Sequence, residues 1–237
     1  YPFSRFPQPD LLLDMAAWCE AQGFYHLHMG EHLIAPKEND KLEIKAGFFD
    51  GEILDAKGVE AVAMIEHAPV YTMGARGGRQ SVRLPEGDLP APVVDTDRGG
   101  DITYHGPGQL VGYPILDLNP DRRDVHKYVR DIEEVMIRVC ADYGLTAGRI
   151  AGLTGTWIGA EKIGAIGVRI SRWITSHGFA FNVSTNMEHF RLIVPCGIAD
   201  RGVTSLESET GLTLRIEDVE DVMVRAFAEV FDRVVTP

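Results

Sequence analysis

The order of periodicities along this chain constrains its fold more than any other feature. Strand-like runs precede, separate and follow two helical stripes, without the strict strand–helix alternation of a doubly wound sheet. The expectation is therefore a single α+β domain, a mixed β-sheet flanked by helices. The first stripe covers about Asp124–Tyr143, where Val125, Tyr128, Val129, Ile132, Met136, Val139 and Tyr143 recur at helical spacing. Asp124 can cap its start and Gly144 can end it. The second stripe, about Asp218–Val234, places Val219, Val222, Met223, Phe227, Val230, Phe231 and Val234 on one face. Strands are expected at Val59–Glu66, and at Lys162–Ser171 and Ile174–Val183 around Arg172-Trp173. Nearer the start, Asp10–Phe24 has near-helical apolar spacing, and the glycine-interrupted, charged stretch 36–58 reads as a mobile connection or hairpin.

Composition excludes several functional classes. A net charge of −12 over 237 residues argues against a general binder of nucleic acid or anionic membrane. No apolar run approaches the ~20 residues that span a bilayer, and the first residues lack the apolar core of a signal peptide. Three cysteines without such a signal point to reduced thiols and a cytoplasmic setting. His26, His28 and His32 gather near Glu31, but no second ligand group follows at a characteristic spacing, so no metal site is expected. A Gly-x-Gly-x-x-Gly turn is also missing, so no dinucleotide is expected.

Four segments carry candidate chemistry. Arg98 to Gln109 holds four glycines with an arginine and a histidine, which suits either a loop approaching a ligand or a tight hairpin turn. Lys162 heads an apolar strand with small residues at 164, 165 and 167. Small side chains weaken a strand unless a ligand or another backbone takes their place. A lysine entering such a region loses solvation, whereas the commoner case is a lysine snorkelling at a strand end. In Ser176 to Val183, alternation sets His177, Phe179, Phe181 and Val183 against the small face of Gly178, Ala180 and Asn182. A histidine so placed is usually structural. The fourth segment puts Cys196 in a turn between Pro195 and Gly197. Cys140 lies beside a helical stripe and Cys19 on the N-terminal segment, so if one thiol is a nucleophile Cys196 is the choice, whereas most lone cysteines are structural.

Taken together, RGGDITYHGPGQLVGYPILDL, KIGAIGVRI, HGFAFNV and VPCGI, in this order, closely resemble the octanoyltransferases of lipoate biosynthesis. EHAPVYTMG at 66–74 and VTSLESE at 203–209 match further family segments. The resemblance implies the fold shared with lipoate and biotin protein ligases, with residues 59–237 as the catalytic domain. Residues 1–58 form a divergent N-terminal segment, of which 8–36 weakly resembles the first strand-helix-strand of luciferase-like flavin monooxygenases. It also implies a thioester on Cys196, with Lys162 as acid and base. The acyl site would be walled by Arg98, Gly99, Gly100, Asp101, Ile102, Thr103, Tyr104 and His105, by Ala165, Ile166 and Gly167, and by Gly178, Phe179 and Ala180. The implied donor is octanoyl-acyl carrier protein. The implied acceptors are the lipoyl domains of 2-oxoacid dehydrogenase complexes and the glycine cleavage H protein, with no cofactor, metal, nucleic acid or membrane.

Three rivals remain at this level: an ATP-dependent lipoate-protein ligase, a cysteine hydrolase that uses the same dyad with water, and a non-catalytic protein that binds lipoyl domains or acyl groups. Phe179 and Phe181 stand where the family usually has Leu. Phe179 is expected to border the acyl chain and set its length, and Phe181 to contribute stability. Six basic against three acidic residues between Arg149 and Arg201 suggest either a basic rim for an acidic partner or scattered solvated charges.

Overall fold

The computed structural model describes residues 33–35, 60–120, 122–194 and 201–236. Eleven strands within these residues form two sheets. Strands β1 (Leu33–Ala35), β2 (Glu60–Ile65), β6 (Gln109–Ile115), β7 (Gly148–Ile150), β8 (Leu153–Ile158), β9 (Glu161–Ser171), β10 (Ile174–Asn182) and β11 (Val234–Thr236) build the larger one. Their order is β11-β1-β2-β6-β10-β9-β8-β7, and every neighbouring pair is antiparallel. Strands β3 (Val70–Met73), β4 (Val93–Asp95) and β5 (Thr103–His105) build the smaller sheet. It supplies the mixed pairing, with β3 parallel to β4 and antiparallel to β5.

The helices form as their capping and stripes dictate. Helix α1 (Val125–Asp142) begins at Asp124, whose side chain accepts from the Lys127 amide at 2.9 Å, and Gly144 follows its end with φ +75°. Tyr128, Ile132, Met136 and Val139 are buried as expected, while Val125 is 44% exposed because it stands on the first, unpacked turn. A short helix α2 (Leu206–Thr210) is capped by Ser205, and α3 (Ile216–Phe231) ends at Asp232 in the left-handed region. Val234 is therefore not helical, as the apolar stripe had suggested. Asp232 stops the helix, and Val234–Thr236 pairs with β1.

One face of the large sheet packs against these helices through Phe179, Phe181, Ile163, Met136, Met223 and Phe227. A second apolar cluster, with Tyr71, Ile102, Tyr104, Phe190 and Ile193, belongs to the small sheet. The segment Asp10–Phe24, the stretch 36–58, the histidines 26, 28 and 32, and Pro195 to Ile198 with Cys196 lie outside the described residues. Among the described residues no helix is long and apolar enough to cross a membrane.

Candidate active site

The glycine-rich segment is not a tight hairpin. Strand β5 pairs within the small sheet and β6 within the large one, so Gly106-Pro107-Gly108 carries the chain from one sheet to the other. Gly108 adopts φ +80°, and its carbonyl accepts from the Val183 and Ser184 amides and the Thr185 hydroxyl at 2.9–3.0 Å. Where the two sheets meet, a narrow cleft opens. Among the described residues it is lined by Thr103, Gln109, Lys162, Ala165, Ala180, Asn182, Phe190 and Val203.

A β-bulge sets the key side chain. Trp157 pairs with Lys162 and Thr156 with Gly164, so Ile163 is the extra residue. In regular alternation, residues 162 and 165 would face opposite ways. The bulge restores them to one face, and both line the cleft. Lys162 is only 8% exposed, with its Nζ 4.7 Å from the centre of the Trp157 ring. Its main chain accepts from the Thr204 amide and donates to the Gly202 carbonyl, each at 3.0 Å. Lys162 is thus fastened to the stretch that follows Cys196 in sequence.

The remaining expected acyl-site residues divide by strand face. Thr103, Ala165 and Ala180 line the cleft. Ile102 and Tyr104 point the other way, into the small-sheet core, where Tyr104 stacks on His189 at 4.3 Å. Burial, reinforced by Tyr71, pushes the Tyr104 phenol up to about 12. Arg98 is buried, with its guanidinium donating to Thr72 and to the Gly99 carbonyl. Gly99 donates to the Val168 carbonyl at 3.0 Å, and a side chain on Gly167 would meet the Gly99 carbonyl at 2.8 Å. A neighbouring backbone, not a ligand, fills the space at Gly167. Asp101 accepts from the Ser81 hydroxyl at 3.0 Å, and Gly100 takes φ +96° in the same turn.

Four expectations on β9 and β10 need correction. Phe179 does not border the cleft. It is 2% exposed in the helix-side core together with Phe181, because alternation runs unbroken from Phe179 to Val183. Ile166 packs on that side as well, and Gly178 is closed off by the Gly112 carbonyl and Pro114. His177 does not share the phenylalanine face. Its φ of +55° breaks the alternation, and it bonds Asp97 at 2.6 Å. Desolvation, with Arg98 and Arg169 nearby, lowers its pKa to about 4.

Sequence reasoning missed a buried amide network in the cleft. His105 Nδ1 lies 2.8 Å from Gln109 Oε1, and Gln109 Nε2 donates to Asn182 Oδ1 at 2.9 Å. Asn182 Nδ2 donates to the Thr204 carbonyl at 3.0 Å. With both amide NH₂ groups committed to acceptors, Gln109 Oε1 is left to accept, so His105 carries its proton on Nδ1. Desolvation lowers His105 to about 3, with smaller contributions from His67 and Arg98, so its ring is neutral. The signal for this network was present: Gln109 and Asn182 are amides on strand positions that face small neighbours. Elsewhere, Cys140 is buried and desolvation pushes its thiol up to about 12, as suits a packing residue. Of the six basic residues between 149 and 201, Arg149 is committed to Glu133 and Glu134 beside α1.

Residues 52–228 match the family model of the lipoyl protein ligase A/B catalytic domain. An octanoyltransferase of Caldicellulosiruptor bescii is 49% identical over 179 residues, which cover 73% of this chain and 78% of that protein. The chain belongs to the octanoyltransferases of this family. An octanoyltransferase of Myxococcus xanthus is 50% identical over 182 residues, 73% of this chain, and the chain spans about half (51%) of its length. The fold is shared with the bi-partite lipoate protein ligase of Thermoplasma acidophilum, at a TM-score of 0.61 and 18% identity, over 73% of this chain and 72% of the other. The family is thus one of acyl-transferring enzymes built on an α+β ligase-like fold.

Proposed function

We propose that this protein transfers an octanoyl group from acyl carrier protein to the target lysine of lipoyl domains, by way of a thioester on Cys196. Residues 59–237 form the catalytic domain, with Leu33–Ala35 adding β1 to its large sheet, and the reaction takes place in the cytoplasm. The observation that carries the reading is Lys162, which enters an inter-sheet cleft from a bulged strand and is joined by its main chain to residues 202 and 204.

In this route the Lys162 ammonium favours the Cys196 thiolate, the form of cysteine that attacks. The sulfur bonds to the donor carbonyl carbon, the bond to the pantetheine sulfur breaks, and Lys162 gives that departing sulfur its proton. The neutral amine of the acceptor lysine then attacks the Cys196 thioester. A C–N bond forms, the C–S bond breaks, and Lys162 takes the amine proton, which restores the starting state. The donor is already activated, so the transfer requires no ATP. Ala165 and Ala180 leave room on the cleft face for the alkyl chain, whose burial contributes roughly 0.8 kcal/mol per methylene. Thr103 faces them from the small sheet, and the segment from Arg98 to His105 holds that wall in place. The acceptors are the lipoyl domains of 2-oxoacid dehydrogenase complexes and the glycine cleavage H protein.

Intact mass spectrometry after mixing with octanoyl-acyl carrier protein tests the route. The expected result is one octanoyl addition, absent from Cys196→Ala. Equal thioester labelling of Cys196→Ala refutes the assignment.

A further inference from the structure

We infer that Gly155 and Trp157 of β8 form a track that fixes the position of Lys162, and that Glu133 on α1 pins the track. The inference rests on the role proposed above for Lys162. The backbone of Gly155 has φ +122°, a conformation open to glycine and strained for other residues. A Cβ there would lie 2.6 Å from the Gly164 carbonyl oxygen, 3.2 Å from Lys162 Cε and 3.4 Å from its Cδ. The alkyl stem of Lys162 therefore runs over the bare Cα of Gly155. Two residues on, the Trp157 ring sits under the ammonium at 4.7 Å. Stem and head are each held by a different residue of one strand.

This strand is itself fixed from the helix. Glu133 is fully buried, and its Oε1 accepts from the Gly155 amide at 2.9 Å. Its Oε2 accepts from Arg130 at 2.6 Å and Arg149 at 3.0 Å, so both carboxylate oxygens are satisfied. A charge-assisted bond to the amide of the very glycine that faces Lys162 ties the lysine's location to α1 as well as to residues 202 and 204. None of the three is placed to touch the substrate through the cleft lining described above. They are positioning residues, and a displacement of about 1 Å at the lysine can cost on the order of 100-fold in rate.

A double-mutant cycle on the full chain tests this. Single-turnover transfer from octanoyl-acyl carrier protein, and the pH profile of Cys196 alkylation, are measured for wild type, Gly155→Ala, Lys162→Ala and the double variant. Gly155→Ala is expected to slow transfer by roughly 10- to 100-fold and to move the alkylation profile toward that of Lys162→Ala. It is expected to add less than about 2-fold when Lys162 is already alanine. Equal losses in both backgrounds, or a wild-type alkylation profile in folded Gly155→Ala, overturn the track. If Gly155→Ala does not fold, Trp157→Leu carries the same cycle with the same two outcomes. Glu133→Gln, which keeps an acceptor for the Gly155 amide, is expected to retain more of the rate than Glu133→Ala, and the reverse order overturns the pinning role. Wild-type transfer by Lys162→Ala overturns the proposed function and the track together, whereas uncoupled losses overturn the track alone.

Discussion

Lowering the pH from 7 to 5 loads protons onto the unfolded chain that the fold refuses at His67 and His105. Both rings are buried, 5.4 Å apart, and held by neutral partners, His67 by the Tyr113 hydroxyl and His105 by Gln109. Desolvation lowers His67 to about 4 and His105 to about 3, against 6.5 for an unfolded histidine. With the folded value below the unfolded one, the unfolded state binds more protons, so stability is complete above about pH 6.5 and falls as the solution becomes more acidic. At 1.36 kcal/mol per pKa unit, each ring removes about 2 kcal/mol between pH 7 and 5, and the two together about 4 kcal/mol. Urea unfolding at both pH values, for wild type and His67→Gln, isolates one ring from the background of carboxylates. The expected result is that the variant loses about 2 kcal/mol less than wild type over this interval, whatever its stability at pH 7. An identical pH dependence would mean that His67 is protonated in the fold, and the desolvation argument would fail.

Two further outcomes follow from the faces of β10. Ala180→Val fills the cleft floor and should shift donor preference from C8 toward C6, with discrimination of about 1–3 kcal/mol per methylene in competing-donor assays. An unchanged ranking would remove Ala180 from the acyl site. Phe179→Leu, on the helix side, should cost about 1–2 kcal/mol in denaturant unfolding and leave the donor ranking intact. A changed ranking at wild-type stability would restore Phe179 to the chain wall.

What was legible in the sequence was what local chemistry decides. The stripe of α1 and its Asp124 cap announce a helix, and the long runs around Arg172-Trp173 announce paired strands. The parts that escaped depend on the phase of alternation, which one unusual backbone position inverts. Ile163 adds a residue to β9 and brings Lys162 and Ala165 to one face, while His177 at φ +55° turns its side chain away from the phenylalanines. Neither residue type advertises such a role. The end of α3 was overrun for a different reason: Val234 fits an apolar stripe as well as it fits a strand, and only its pairing with distant Ala35 decides between them. Glu133 escaped too, because a carboxylate in a charged helix looks solvated until Arg149 and Gly155 are brought to it.

The short joint between the two sheets has a mechanical consequence. Only three residues, Gly106 to Gly108, link β5 to β6, and the Gly108 amide is tethered to Glu66 while its carbonyl is held by three donors after β10. The sheets therefore behave like the covers of a book bound along that spine, and their separation beside it is dictated by chain connectivity rather than by side-chain packing. For an acyl group seated as proposed above, extra length is not gained by easing the covers apart there. Room must then come from the page surface itself, which makes Ala165 of β9 and Ala180 of β10 the positions to vary first.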